Sequence, residues 1–197
     1  MSRRYPGIAF GDSVKSVQRE QGSRALGERL EGMSWDDQEL GSRERALIEG
    51  LDHFYMASVT ESGWPYVQFR GGPKGFVRML SPRTLGFADF RGNRQYISTG
   101  NVAHDDRVSL LFRDQARRLR LKIFARASAI PMTAELHDRL VDPEYDAVVE
   151  RAYVFAVEAF DWNCPQHITP RFSMEEIQEL APESVADSAC GESARIA

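Results

Sequence analysis

"HFYMASVTESGWPYVQFR", residues 53–70, decides the class of fold. Its two ends are rich in aromatic and β-branched residues, while "ESGW" between them has the glycine and small polar residues of a turn. Two such runs around a short turn read as a β-hairpin, Phe54–Thr60 paired with Pro65–Arg70. The same reading extends outward. "FVRML" (76–80) and "TLGFA" (84–88) form a second strand pair around "SPR". "RVSLLFRD" (107–114) and "RLRLKIFARASAI" (118–130) are strands joined by a polar, arginine-rich connection, and "YVFAVEAFDW" (153–162) is the last strong strand. Connections of mostly hairpin length favour an antiparallel barrel over a parallel α/β sheet. The expectation is a mainly β protein with flanking helices and roughly six to eight antiparallel strands.

Helices are expected around this sheet. Leu40, Leu47, Leu51 and Phe54 are spaced by seven, four and three residues and make one stripe, which predicts a helix over 36–54. Gly41 and Gly50 weaken that helix. A short helix is expected over 93–103, and another over 131–141, where Pro131 and Thr133 provide a start signal. Residues 142–152 continue as helix or turn. Residues 1–35 read as an extended N-terminal arm with one short helix around 22–31. Residues 36–180 form the single domain, and the small, polar residues 181–197 a mobile tail.

A chain of 197 residues can bury a core without staples. Its net charge of -4 argues against general attraction to nucleic acid or acidic membranes, so neither is expected as a partner. Cys164 and Cys190 make no disulfide framework, which points to a reducing compartment. The N-terminus lacks the apolar core of a secretory signal, and no apolar run approaches the roughly 18 residues of a membrane span. A cytoplasmic location is expected.

Four polar features stand out. "RGGPKG" (70–75) lets backbone approach a flat ligand closely, although a wide hairpin loop would look the same. "RGNR" (91–94), followed by a helix start, offers free amides and two guanidinium groups, a sound phosphate cradle without the spacing of either common nucleotide loop. Arg118, Arg120 and Lys122 alternate with Leu119, Leu121 and Ile123. This basic ladder reads as a charged strand edge, an anion site or a nucleic-acid groove. "FDWNCPQHITPRF" (160–172) is too polar and too stiff for a mere tail and reads as the lid or wall of a site. Cys164 and His167 stand at C-x2-H spacing, but a zinc site needs about four ligands and nothing nearby supplies the rest, so no metal is expected.

"GWPYVQFRGGPKGFVRMLSPRTLGFADFRGNRQYISTGN", "DDRVSLLF" and "RLRLKIFARA" together resemble the pyridoxamine 5'-phosphate oxidase-like flavoproteins. The likeness covers roughly 52–130 and reaches about 172 through the C-terminal motif. It implies an FMN-binding split β-barrel working as a homodimer, with the flavin site at the subunit interface. It places the FMN phosphate loop on Ala88, Asp89, Phe90, Asn93, Arg94 and Gln95. Arg94 matches a basic position, Asn93 stands for a serine, and Gln95 replaces a second basic residue whose charge Arg91 restores. The strand before the loop passes the flavin ring with its backbone, from Gln68 through Arg70, Gly71 and Gly72. Arg120, with Lys122 next on the same face, lies near the flavin. Trp162, His167 and Arg171 shape the substrate side, Gln166 joins Trp162 and Arg171 as a candidate cofactor contact, and His167 is the best candidate acid or base. The "R-L-x-P" ending of the vitamin B6 enzymes is missing, so their substrate recognition is not carried over.

The implied function is an FMN-dependent oxidoreductase that moves a hydride between a small-molecule donor and acceptor through the cofactor. The alternatives are a non-catalytic flavin carrier or redox sensor, and a barrel holding a deazaflavin or haem.

Overall fold

Phe54 explains how the strands are arranged. It lies on β1 (His53–Val59), and its ring centroid is 5.6 Å from that of Phe87 on β4 (Thr84–Phe90). In the sheet order β2-β1-β5-β6-β7-β4-β3 these strands stand four places apart, which in a flat sheet would be about 19 Å. The sheet therefore curls until β1 faces β4 across one aromatic core. Phe54 also meets Phe112 of β5 (Arg107–Asp114) at 5.1 Å and Phe155 of β7 (Val149–Trp162) at 6.2 Å.

The computed structural model describes residues 4–33, 39–163 and 165–180. The tail expected at 181–197, together with Cys164 and Cys190, lies outside the described residues. Seven strands are described, the remaining three being β2 (Pro65–Gly71), β3 (Arg78–Ser81) and β6 (Leu119–Ile130). Every pairing is antiparallel. The expected first hairpin is present, with Phe54 opposite Arg70 and Val59 opposite Pro65. Period-2 alternation sends Leu121 and Ile123 of β6 and Leu110 and Phe112 of β5 into the core.

The helices differ from expectation in instructive ways. The stripe over 36–54 does reach one core, because Leu40, Leu47 and Phe54 are buried in it and Leu51 packs against it. Among the described residues of that span only Ser42–Ile48 is helical, however, as α4. Glu44 Oε2 accepts the Gly41 amide at 2.9 Å and caps the start. Beyond Gly50 the chain turns to begin β1, so Phe54 reaches the core from a strand. The helix expected around 22–31 is present, but the rest of the described N-terminal segment is helical too and not extended. The segment carries α1 (Arg4–Ala9), α2 (Asp12–Glu20) and α3 (Arg24–Gly32). It is anchored where Tyr5 stacks on Phe124 of β6 at 4.9 Å and Arg4 pairs with Glu158 of β7. The helix expected from 93 begins at Ile97 as α5 (Ile97–His104), because Arg94 and Tyr96 adopt positive φ angles of 61° and 54°. Arg118 likewise sits in a turn, with φ 56°, so the basic ladder starts at Arg120. After α6 (Ala134–Leu140), capped by Thr133, residues 142–148 form turns and β7 begins at Val149. The last described helix is α7 (Met174–Leu180).

Replacing Phe54, which has no exposed surface, should be costly. Phe54→Ala is expected to lower unfolding free energy by about 3–5 kcal/mol, read from urea denaturation midpoints.

Candidate functional site: a cleft at the split in the barrel

No residue of β2 is buried. Along its length Tyr66, Gln68 and Arg70 point one way and are half-buried, while Pro65, Val67 and Phe69 point the other way and are exposed. The first set forms one wall of a cleft of about 190 Å³, whose other walls are Asp89 and Phe90 of β4, the loop 92–96, Ile97–Thr99 of α5 and Glu150 of β7. The cleft is the split between the two ends of the sheet, and Arg70 bridges it. Its Nη1 donates to Asp89 Oδ1 at 2.9 Å, and Arg151 Nε stands 3.3 Å from Asp89 Oδ2. The Arg70 guanidinium also lies 5.1 Å from the Tyr153 ring centroid. Burial raises the Asp89 pKa, while the two guanidinium groups pull against it.

The loop entering α5 is strained. A left-handed backbone costs a non-glycine residue roughly 1–2 kcal/mol, and such residues collect at ligand sites. Here Arg94 and Tyr96 both adopt it, one residue apart. The loop is held from within and from outside. The Gln95 amide donates to Asn93 Oδ1 at 3.1 Å, the Tyr96 hydroxyl donates to Glu150 Oε1 at 3.1 Å, and the Arg151 guanidinium covers the Tyr96 ring at 4.9 Å. The Tyr96 hydroxyl, and then the Glu150 charge, raise the pKa of the exposed Arg94.

Beyond the loop, Ser98 is 4% exposed, and its Oγ has no hydrogen-bond partner among the described residues. Next to it Thr99 Oγ1 is 2.9 Å from the Tyr153 hydroxyl. The first amides of a helix have no intrahelical acceptor. An anion seated here would satisfy both these amides and the orphaned hydroxyl.

Gln68, Arg70, Asp89, Phe90, Asn93, Arg94 and Gln95, all expected at the site from sequence, meet in this cleft. Ala88 lies behind it, buried with Leu140 and Ala152. Arg91 is engaged, its Nε donating to Glu150 Oε1 at 3.1 Å. Gly71 and Gly72 lie outside the cleft lining. The Gly72 amide donates to the Asp52 carbonyl at 3.0 Å, and a Cβ there would come within 2.7 Å of Phe76. That glycine serves packing. On the outer face of β6, Arg120 stands opposite Arg113 and Lys122 opposite Asp161. The flat partner of Trp162 within the chain is an arginine. The Arg43 guanidinium covers its ring at 3.9 Å while Nε1 donates to Glu44 Oε1 at 2.6 Å. Arg171 lines a second cleft with Lys74 and Arg113. Gln166 and His167 occupy a turn after β7, with His167 at φ 59°. Among the described residues, a single chain thus brings none of the C-terminal motif to the cleft lining.

Sequence reading missed Tyr66, Tyr96, Ser98, Thr99 and Glu150. Tyr66 could have been found by continuing the period-2 face of Gln68 and Arg70. Ser98 and Thr99 carry the signal of hydroxyls in the first turn of a helix. Glu150 carries none, because its place depends on a bulge in β7.

A family model described as pyridoxamine 5'-phosphate oxidase matches residues 40–186, well over half of the chain. The chain belongs to the pyridoxamine 5'-phosphate oxidase family. Its α1–α3 precede the matched span. Among solved structures, it is similar to an FMN-binding protein from Syntrophomonas wolfei subsp. wolfei, with 15% identity, 77% of this chain and 97% of that chain covered, and a TM-score of 0.48. It is also similar to HupZ of Group A Streptococcus, with 16% identity, coverage of 68% and 100%, and a TM-score of 0.47. General Stress Protein 26 from Bacillus anthracis str. Sterne has 14% identity, coverage of 65% and 92%, and a TM-score of 0.40. No curated protein matches. Among the described residues, no helix is long and apolar enough to cross a membrane, and no group of three or more His, Cys, Asp or Glu could hold a metal.

Removing the indole donor should leave the Glu44 carboxylate, which is 8% exposed, short of a partner. Trp162→Phe is expected to cost about 1–3 kcal/mol of stability, measured by chemical denaturation.

Proposed function

We propose that the protein binds FMN in the cleft and acts as a flavin-dependent oxidoreductase on a small molecule. The observation that carries this is the buried, unpartnered Ser98 hydroxyl in the first turn of α5, beside the exposed Arg94. Together with the free amides of α5 and the Asn93 side-chain amide, these are the donors that a phosphate monoester requires. The lining residues therefore fit the phosphate end of FMN. When bound, FMN supplies two-electron hydride chemistry. Arg94, Ser98 and Asn93 hold the anion, Tyr66 and Gln68 offer hydrogen-bonding groups along β2, and Arg70 brings positive charge to the floor of the cleft.

The site is completed by a second copy of the chain. A cleft of about 190 Å³ is below the roughly 300–1,000 Å³ typical of small-molecule sites. The far side of the hairpin that walls it is apolar and open, with Trp64 72%, Val67 62% and Phe69 55% exposed and Tyr55 beside them. A face of that kind on a soluble protein marks an interface. A homodimer closed through it adds a second wall, for which Arg120, Lys122, Trp162, Gln166, His167 and Arg171 are the candidates. His167 is the candidate proton carrier, and the electron donor and acceptor are small molecules.

A second reading, flavin binding without turnover, draws on the lining itself, since among the described residues no histidine lines the cleft. Reduction of the bound flavin by NADH or NADPH, with reoxidation by a defined acceptor, favours the enzyme. A flavin inert to both favours the carrier.

The purified protein is expected to show a flavin absorption band and to release FMN on denaturation, identified by mass. A colourless protein with no affinity for added FMN would overturn the reading. Ser98→Ala and Arg94→Ala should each weaken FMN binding by about tenfold, measured by fluorescence titration. Phe69→Glu, on the exposed face, should shift the protein from dimer to monomer in sedimentation and weaken flavin binding with it.

A further inference from the structure

We infer that Glu150 is a positioning residue that pins both ends of the loop Arg91–Tyr96 with one carboxylate and so presents Gly92–Gln95 to the ligand. This rests on the reading of the cleft as the FMN phosphate site.

The register of β7 shows how Glu150 reaches that position. Asp89 pairs with Arg151 and Phe90 with Val149, so Glu150 is the extra residue of a β-bulge. A bulge turns a side chain out of the ordinary alternation. Here Glu150 is turned toward the loop, and its side chain is 12% exposed. Its Oε1 accepts from Arg91 Nε at 3.1 Å and from the Tyr96 hydroxyl at 3.1 Å, which are the two ends of the loop. Its Oε2 accepts from Arg151 Nη2 at 2.8 Å, which ties the clamp to the Asp89 pair at the floor of the cleft. Between the pinned ends, Gly92–Gln95 are exposed, and two residues of the loop carry left-handed strain. Partial burial works against the Glu150 charge, but donation from Arg151, Arg91 and Tyr96 outweighs it and keeps the pKa below the ordinary glutamate value. The carboxylate is therefore ionised and fully able to accept.

The two effects of Glu150 on an anionic ligand have opposite signs. A negative charge beside an anion site repels the anion, so electrostatics alone predicts tighter phosphate binding once Glu150 is removed. Positioning predicts weaker binding, because the released loop must be ordered again when the ligand binds.

The test compares the parent with Glu150→Gln, which keeps an acceptor oxygen, and Glu150→Ala, which does not. Amide hydrogen exchange of residues 91–97 without ligand should speed up about tenfold in Glu150→Ala and stay near the parent rate in Glu150→Gln. In titrations, Glu150→Ala should bind FMN about tenfold more weakly while riboflavin, which lacks the phosphate, binds unchanged. Glu150→Gln should bind FMN at least as tightly as the parent. Unchanged exchange in Glu150→Ala, tighter FMN binding by that variant, or an equal loss for FMN and riboflavin would each overturn the clamp. A parent with no affinity for FMN would instead sink the flavin reading, with the exchange rates still deciding whether Glu150 holds the loop.

Discussion

The ion pair between Arg70 and Asp89 joins two strands that lie five places apart in the sheet order. Much of the rest depends on it. The aromatic core around Phe54 pulls β1 toward β4, but a hydrophobic core has no preferred register. The pair does, because a guanidinium and a carboxylate must meet at hydrogen-bonding distance. Its net contribution to stability is modest, since both groups give up water. Its contribution to geometry is large. It sets β2 beside the end of β4, and the space left between them is the cleft. Closing the barrel and shaping the site are one event.

A second constraint acts from β7. The bulge at Glu150 interrupts a regular antiparallel ladder and releases one carboxylate from it. That carboxylate takes up Arg91, which in sequence looks like a free cation ready for phosphate. On the proposed reading, Arg94 is the loop cation that meets the ligand's anion, supported by backbone amides and the Ser98 hydroxyl. In that reading the loop and helix dipole replace some of the charge that a more basic loop would bring.

The N-terminal helices sit outside the span matched by the family, and α1 docks on the central strands β6 and β7. Their attachment uses another bulge, between Phe124 and Ala125, which leaves Glu158 to be shared by Arg4 and Arg126. Both bulges thus turn a glutamate of β7 to a new use, one at the site and one at the dock.

How much was legible beforehand follows from the range of each interaction. Period-2 alternation is local, so the strands, the first hairpin and the inward residues of β5 and β6 could be read directly. Local chemistry likewise marked the loop 91–95 and the α6 cap at Thr133. A stripe of apolar residues shows burial but not the element that buries it, which is why Phe54 belongs to a strand and α4 ends at Ile48. The sequence by itself determined an antiparallel, mainly β domain with a loop of arginine, glycine and amide side chains before a helix. Only the tertiary structure decided that Arg70 meets Asp89, that Arg91 is taken by Glu150, and that Trp162 is covered by Arg43. Those three pairings join residues 19, 59 and 119 positions apart. Contacts of that separation are chosen by how the sheet closes and where it bulges, and neither leaves a periodic trace in the chain.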